Sequence, residues 1–187
     1  VVDIGVCPVP TVQLQVRHRR AQGGIAITAS HNPAEWNALK FIGSNGLFLD
    51  AGQARELLDI YHQGEYTKVG GADIRTVEEA EGATDLHIKS ILDALGPLPK
   101  TSKKLRVVLD SCNGAGSLVG PKLIDALGAE VIPINVTPDG SFRVPRSRFR
   151  KIGQASCGWP NAASPPARPT AACWVKKKPV HAVCFRC

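Results

Sequence analysis

A serine, a histidine, an asparagine and a lysine interrupt an apolar segment near the start of this chain. Ser30, His31 and Asn32 follow the run Gly-Ile-Ala-Ile-Thr-Ala, and Lys40 lies ten residues beyond the serine. A serine hydroxyl is a weak nucleophile unless a base or a cation assists it, and His31 and Lys40 are the nearby candidates. Because Pro33 disfavours helical backbone at Asn32, the chain turns outward there and presents the serine.

The same residue types also admit a purely structural interpretation. Serine and asparagine favour turns because their side chains hydrogen-bond to nearby backbone groups. In that case Ser30 and Asn32 only close a turn between a strand and a helix. Composition by itself leaves both interpretations open.

Strands and a helix are predicted around this loop from apolar patterning. Residues 24–30 are small and β-branched, which indicates a buried strand. Residues 39–49 contain two apolar runs joined through an Asn-Gly pair that tolerates positive φ, which predicts a hairpin. Residues 11–20 are predicted as a helix, although their alternating apolar residues fit a strand equally well.

Two further helices carry start and stop signals. Asp50 followed by Gln53 is typical of a capping box, and Gly64 predicts the end of that helix. Starting at Ile88, apolar residues recur at i, i+3, i+4 and i+7, and Gly96 with the following proline ends the pattern.

The next part of the chain predicts a β-α-β unit. Residues 104–110 indicate a strand, 111–117 a tight loop, 118–128 a helix and 129–136 a second strand. A dinucleotide-binding site is not favoured there, because the glycine spacing is G-x-G-x-x-x-G and no acidic residue ends the second strand. With the earlier elements, this unit predicts an α/β protein with mixed sheets covered by helices.

Charge separates the body of the chain from its C-terminal part. Residues 143–187 hold ten of the 23 basic residues and none of the 16 acidic ones, so the net charge of +7 comes entirely from this segment. Its many prolines and its lack of periodicity predict that no packed structure follows Phe142.

No apolar run is long enough to span a bilayer, and the first ten residues lack the features of a signal peptide, so a cytoplasmic protein without membrane contacts is expected. Cys7 and Cys112 are expected to be buried thiols, since cytosolic chains rarely form structural disulfides. Lacking partners at ligand spacing, the remaining histidines are predicted to lie at the surface: His18, His62, His87 and His181.

Two stretches resemble the α-D-phosphohexomutase superfamily, which includes phosphoglucomutase, phosphomannomutase and phosphoglucosamine mutase. The first is GGIAITASHNPAEWNALKFIGSNGLFL, in which T-A-S-H-N-P is followed by N-x-x-K-F. The second is LRVVLDSCNGAGSLVGPKLIDALGAEVIPINVTPDGSF, which is similar to the opening β-α-β unit of that family's second domain. The resemblance covers residues 1–142.

The resemblance implies a role for each residue of the loop. Ser30 matches the serine that carries a phosphoryl group and passes it to a sugar phosphate through a bisphosphorylated intermediate. His31 matches a residue beside this serine, and Lys40 matches a lysine that assists proton transfer or stabilises charge. The other residues implied in the phosphoserine loop are Thr28, Ala29, Asn32, Pro33 and Asn37.

The resemblance also implies Mg²⁺, with one ligand supplied by the phosphate on Ser30. The remaining ligands in the family are aspartates of a D-x-D-x-D-R loop, and this sequence contains no such motif. The expected partners are a hexose or hexosamine phosphate and its bisphosphate, while the 187-residue chain itself is predicted to be inactive.

The resemblance divides the chain into three parts. Residues 1–79 are expected to form the later part of the family's domain I, residues 80–142 the start of domain II, and residues 143–187 an aberrant, disordered basic tail. The codons possible for residues 145–152, read from the third base, can encode Pro-Glu-Pro-Val-Pro-Glu-Asn, which matches the family's continuation. A frameshift near Phe142 is therefore our hypothesis for the origin of the tail.

A non-enzymatic alternative is a module that binds nucleic acid or zinc through the tail. Only Cys184 and Cys187 have the spacing of zinc ligands, and no second such pair accompanies them. The basic residues are not accompanied by an aromatic recognition motif, so binding of nucleic acid is not expected.

Overall fold

The computed structural model describes residues 1–28, 36–64, 66–97 and 105–140, together with the backbone of two strands at 173–176 and 182–185. The prediction of an α/β protein is confirmed, since helices pack on a mixed sheet and on a parallel strand pair. In chain order the elements are β1 (Val2–Asp3), α1 (Val9–His18), β2 (Gly23–Ile27), β3 (Trp36–Gly43), α2 (Ala51–Gln63), a 3₁₀ turn (Gly71–Asp73), β4 (Glu78–Glu79), α3 (Ala83–Leu95), β5 (Arg106–Asp110), α4 (Gly116–Ala126), β6 (Glu130–Ile134), β7 (Cys173–Lys176) and β8 (Ala182–Phe185).

The larger sheet has six strands in the order β4-β1-β8-β2-β3-β7. Strands β2 and β3 are antiparallel, and their register pairs Gly23 with Gly43 at one end and Ile27 with Leu39 at the other. Strand β1 pairs in parallel with β4. The predicted strand over residues 24–30 is therefore confirmed for the part that the structure describes.

Helix α1 covers this sheet and supplies its core. Val12 and Val16 are fully buried and pack with Ala26 and Ile42 of the sheet. They stand four residues apart and so share one helix face, whereas Leu14 between them is only partly buried. The helical interpretation of residues 11–20 is confirmed and the strand alternative is wrong, because this face is what packs on the sheet.

The turn after β3 is held against α1. Gly43 N–H donates to the Leu47 carbonyl at 2.8 Å, and Ile42 forms a bridge with Phe48. Gln13 Nε2 donates to the Gly46 carbonyl at 2.9 Å, which ties the turn to the helix. The predicted hairpin exists here as this single bridge, because the long partner of β3 is β2.

Gly46 is expected to be the most sensitive position of this turn. Its φ is +78°, and a Cβ atom there would lie 2.7 Å from Arg17 side-chain carbons and 2.8 Å from the Gln13 carbonyl oxygen. Gly46→Ala should therefore lower the free energy of unfolding by about 2–4 kcal/mol in urea titrations.

Gly64→Ala is the matched control for that substitution. Gly64 also has positive φ, +69°, but a Cβ atom there would meet nothing within 4 Å. It should cost about 1–2 kcal/mol, the conformational part alone. Equal losses for the two variants would contradict close packing of Gly46 on α1.

Helix α2 begins and ends where the sequence predicts. The Asp50 side chain accepts hydrogen bonds from the backbone of Gly52 and Gln53, and the Gln53 side chain accepts one from the Asp50 backbone. Gly64 ends the helix in the left-handed conformation. Both signals act within a few residues, which is why they are readable without tertiary information.

The predicted β-α-β unit is also confirmed. Strands β5 and β6 are parallel and joined through α4. A Cβ atom on Gly120 would lie 2.7 Å from Leu109 Cδ2, so this glycine lets the helix approach the strand. Packing rather than phosphate binding therefore accounts for Gly120.

The expectation that no packed structure follows Phe142 differs from the structure in two places. Strand β8 lies between β1 and β2 and is antiparallel to both, and β7 pairs with the outer edge of β3. Open strand edges offer unpaired backbone groups to any extended segment, and both tail segments are short runs containing β-branched or aromatic residues. No strands were predicted there from the sequence, because the tail is rich in proline. In the part of the chain that the structure describes, no helix is long and apolar enough to cross a membrane.

Candidate functional site

The predicted phosphoserine loop connects two neighbouring strands. Ala29, Ser30, His31, Asn32 and Pro33 lie outside the described residues. On either side of them, β2 ends at Ile27 and β3 begins at Trp36.

The strand pairing continues one residue beyond β2. Thr28 N–H donates to the Ala38 carbonyl at 2.8 Å. The two ends of the loop are therefore held on adjacent antiparallel strands. Among the residues that the structure describes, the element that follows β2 is the strand β3.

Register assigns the flanking site residues to the two faces of the sheet. Lys40 pairs with Ala26, whose side chain belongs to the core beneath α1, so Lys40 lies on the α1 face. Thr28 follows Ala26 by two residues and shares that face. Asn37 is three residues from Lys40 and therefore lies on the opposite face. The structure thus places Lys40 and Asn37, which the resemblance assigned to one site, on opposite faces of the sheet.

Asn37 is a buried polar side chain. It is 8% exposed, and its Oδ1 accepts a hydrogen bond from the Ala38 N–H at 3.0 Å. This contact fixes the backbone at the start of β3, where the strand leaves the loop. Asn37 therefore hydrogen-bonds the backbone of β3 close to where the strand begins.

Lys40 is half-buried and lies near an aromatic ring. Its Nζ is 6.0 Å from the centroid of the Phe48 ring. Phe48 was not among the site residues predicted from the sequence. The only signal available there was the predicted hairpin, which brings residues on either side of its turn together.

A second polar cluster lies at the carboxyl ends of β5 and β6. Asp110 Oδ1 accepts hydrogen bonds from Asn135 Nδ2 and from Cys112 N–H, both at 2.9 Å. The hydrogen bond from Asn135, followed by that from Cys112, lowers the pKa of Asp110. This cluster was not predicted, although a polar residue after each of two parallel strands was a usable signal.

The two body cysteines differ in exposure. Cys7 is buried as predicted, and burial, with a smaller contribution from the charge of Asp3, raises the pKa of its thiol to about 12. It is therefore protonated at neutral pH and unsuited to nucleophilic chemistry. Cys112 is exposed, so the prediction of a buried thiol was wrong there. It lies in a turn with φ +49° rather than on the helix-facing side of a strand.

His87 is not a simple surface residue, contrary to the prediction. Its Nδ1 lies 2.9 Å from Thr11 Oγ1, and this pair joins α3 to α1. Burial lowers the pKa of His87. Thr11 is fully buried, so the pair lies against the core.

Stability is expected to fall on mild acidification because of His87. Its folded-state pKa lies below the unfolded value of 6.5, so the unfolded chain binds the extra proton first. The stabilising free energy that neutral His87 contributes is fully present above about pH 6.5. It is lost as the pH falls from there towards the pKa of His87 in the folded chain. Urea titrations from pH 7.5 to 5.5 should show this loss in the parent and a smaller one in His87→Gln. Exposed His62→Gln is the control, and identical profiles for parent and His87→Gln would contradict the expectation.

Among the residues that the structure describes, no group of three or more His, Cys, Asp or Glu side chains is placed to hold a metal ion.

A family model matches the first part of the chain. Residues 1–68 match the family described as phosphoglucomutase/phosphomannomutase, alpha/beta/alpha domain I. Phosphoglucosamine mutase of Carboxydothermus hydrogenoformans is 41% identical over 144 residues, which is 75% of this chain and 32% of that protein. Phosphopentomutase of Thermococcus kodakarensis is 35% identical over 154 residues, covering 81% of this chain and 33% of that protein.

A solved structure supports the fold. A phosphoglucomutase/phosphomannomutase family protein from Burkholderia thailandensis superposes with a TM-score of 0.55 at 20% identity, covering 77% of this chain and 31% of that one. The chain spans about a third of the length of the curated relatives it matches. Together with the domain match and the T-A-S-H-N-P string between β2 and β3, these similarities identify the chain as a member of the α-D-phosphohexomutase superfamily.

Proposed function

We propose that this chain is part of a phosphomutase that moves a phosphoryl group along a hexose or hexosamine phosphate by way of a phosphoserine at Ser30. The observation that carries the proposal is the attachment of the T-A-S-H-N-P loop to paired strands. The hydrogen bond from Thr28 N–H to the Ala38 carbonyl closes the loop between β2 and β3. Lys40, which pairs with Ala26, lies on the same face of the sheet as Thr28. Such an anchored loop suits phosphoryl transfer, which depends mainly on positioning and charge neutralisation.

Each residue of the site has a proposed part in the transfer. A sugar hydroxyl attacks the phosphoryl group on Ser30, the bond from phosphorus to Oγ breaks, and the hydroxyl proton is released. Lys40 supplies positive charge close to the transferring group or assists that proton transfer. His31, the residue next to the serine, lines the phosphoserine loop. The other loop residues shape its backbone: Thr28, Ala29, Asn32, Pro33 and Asn37.

Asn37 has a proposed structural role on the face of the sheet opposite Lys40. Its side chain lies on the face opposite Lys40 and hydrogen-bonds the backbone at the start of β3. Its proposed role is therefore to hold the strand that bears Lys40, not to contact substrate.

The proposed substrate is a class of sugar phosphates. The relatives include both a phosphoglucosamine mutase and a phosphopentomutase at similar identity. Our preference for a hexose or hexosamine phosphate and its bisphosphate comes from the form of the serine segment. Mg²⁺ is the proposed cofactor of the whole enzyme, with the phosphate on Ser30 as one ligand.

The 187-residue polypeptide itself is proposed to be inactive as a mutase, because its sequence lacks the D-x-D-x-D-R aspartates. We further propose that residues 1–79 and 80–142 belong to domains I and II, and that residues 143–187 arose from a frameshift near Phe142. The alternative of a nucleic-acid-binding or zinc-binding module is not favoured by the comparisons.

The test begins with the genomic sequence on both sides of the region that encodes this chain. We expect a one-base shift near the Phe142 codon to restore a longer mutase reading frame.

The restored protein should interconvert the 1- and 6-phosphates of a hexosamine or hexose when primed with a bisphosphorylated sugar, whereas the present polypeptide should not. An intact single frame encoding the tail in related genomes would refute the frameshift, and robust turnover by the present polypeptide would refute its inactivity. No turnover by the restored protein on hexosamine, hexose or pentose phosphates would refute the mutase.

A further inference from the structure

We propose that Phe48 is a positioning residue for Lys40, holding the lysine ammonium on the α1 face of β3. The inference rests on the proposed function, in which Lys40 supplies charge to the transferring phosphoryl group. It adds a residue from the far side of the hairpin turn, outside the T-A-S-H-N-P and N-x-x-K-F strings.

Strand register brings the two side chains together. Phe48 bridges Ile42 on the antiparallel return of the chain, so the two residues stand directly opposite each other and share a face. Lys40 precedes Ile42 by two residues and lies on that same face, which makes Lys40 and Phe48 a diagonal pair. Side chains in diagonal positions are within reach when one is long and the other aromatic. The separation of 6.0 Å between Nζ and the ring centroid agrees with that placement.

Hydrogen bonds anchor the backbone that carries the Phe48 ring. Leu49 N–H donates to the Phe41 carbonyl at 3.3 Å, and Gly43 N–H donates to the Leu47 carbonyl at 2.8 Å, so Phe48 is held between two hydrogen bonds to β3. The turn itself is tied to α1 by Gln13. Lysine is a flexible chain with a point charge at its end, so a ring carried on this anchored backbone limits where that charge lies.

A second pair in the same chain lacks this framework. Lys68 Nζ lies 5.6 Å from the Tyr66 ring centroid, but the two residues are two apart in an exposed segment without helix or strand. Phe48 and Lys40 are eight apart and are joined through paired strands. The pair of Tyr66 and Lys68 therefore serves as an internal comparison, in which a lysine lies near a ring but no paired strands join the two residues.

The first measurement uses the full 187-residue chain and does not depend on activity. Reductive methylation with ¹³C-formaldehyde labels every lysine while keeping its charge, and Lys40→Arg identifies the Lys40 signal. A ring close to the ammonium should displace that signal from the position of the exposed lysines. Phe48→Leu should return it to that position, Phe48→Tyr should keep it displaced, and Tyr66→Leu should leave it unchanged. A Lys40 signal at the ordinary position, or one unaffected by Phe48→Leu, would overturn the proposal.

The second measurement asks whether the positioning serves the reaction. In the frame-restored protein, Phe48→Leu should lower kcat about two- to fivefold with KM unchanged, because a cation held over a ring is worth that much at a partly exposed site. Phe48→Tyr should restore the rate. Unchanged kcat in Phe48→Leu would refute the link to catalysis. If the restored protein shows no mutase activity, the proposed function fails, and the labelled chain still decides whether Phe48 positions Lys40.

Discussion

Replacing Ser30 with alanine is expected to reduce turnover of the frame-restored enzyme by at least about 10⁴-fold, because a covalent route has no substitute for its nucleophile. In the proposed reaction the phosphoryl group leaves the enzyme on one sugar hydroxyl and returns from another position, so the carrier is needed in every cycle. Phosphopeptide mass spectrometry should find phosphate on residue 30 of the parent after incubation with a bisphosphorylated hexose, and none in Ser30→Ala.

Ser44→Ala is the control for that experiment. Ser44 is exposed in the turn after β3 and lies on the same hairpin as Lys40. Its loss should leave both turnover and phosphate uptake unchanged. Phosphate on another residue in Ser30→Ala, accompanied by turnover near the parental rate, would show that Ser30 is not the carrier.

Placing a carboxylate at Val12 is expected to unfold the α1-covered sheet. Val12 is fully buried between α1 and the sheet, in a cluster that includes Val2, Val16 and Ile42. An aspartate there loses its hydration without gaining a partner among these apolar side chains. The free energy of unfolding should fall by about 4 kcal/mol or more, which is close to the whole stability of a domain at the lower end of the usual range, about 5 kcal/mol. Circular dichroism during urea titration measures the loss.

Val69→Asp is the matched control, since Val69 is 61% exposed in the segment between α2 and the 3₁₀ turn. Its effect should stay within about 0.5 kcal/mol. If Val12→Asp were tolerated equally well, α1 would not be the element that closes this core.

The Asp110 cluster shows how a polar site can escape prediction from sequence. Asp110 and Asn135 are 25 residues apart in the chain and meet because the parallel register places Asp110 opposite Ile134, the residue before Asn135. Each residue alone is an ordinary polar group after a strand. Only the pairing of β5 with β6 lets the Asp110 carboxylate accept hydrogen bonds from residues that follow both strands, Cys112 and Asn135.

His87 and Thr11 illustrate the same limit for packing. Neither residue has a notable neighbour in sequence, and His87 was therefore predicted to lie at the surface. The packing of α3 on α1 brings them to 2.9 Å and partly buries the imidazole. A periodic pattern predicts which face of a helix is apolar, but it does not predict which other helix covers that face.

The sequence by itself determined the local structure and indicated the superfamily. The capping box at Asp50, the helix end at Gly64 and the β-α-β unit follow from signals that act over a few residues. The T-A-S-H-N-P string is equally local, and its residues are sufficient to indicate the superfamily without any knowledge of how the chain folds.

The tertiary structure decided how these parts face one another. Pairing of β2 with β3 put Lys40 and Asn37 on opposite faces, and the return of the chain after the turn brought Phe48 to Lys40. It also placed two tail segments at strand edges where composition predicted none. The physical reason is that register and packing depend on backbone groups and apolar faces far apart in the chain, whereas caps, turns and periodicity depend on neighbours.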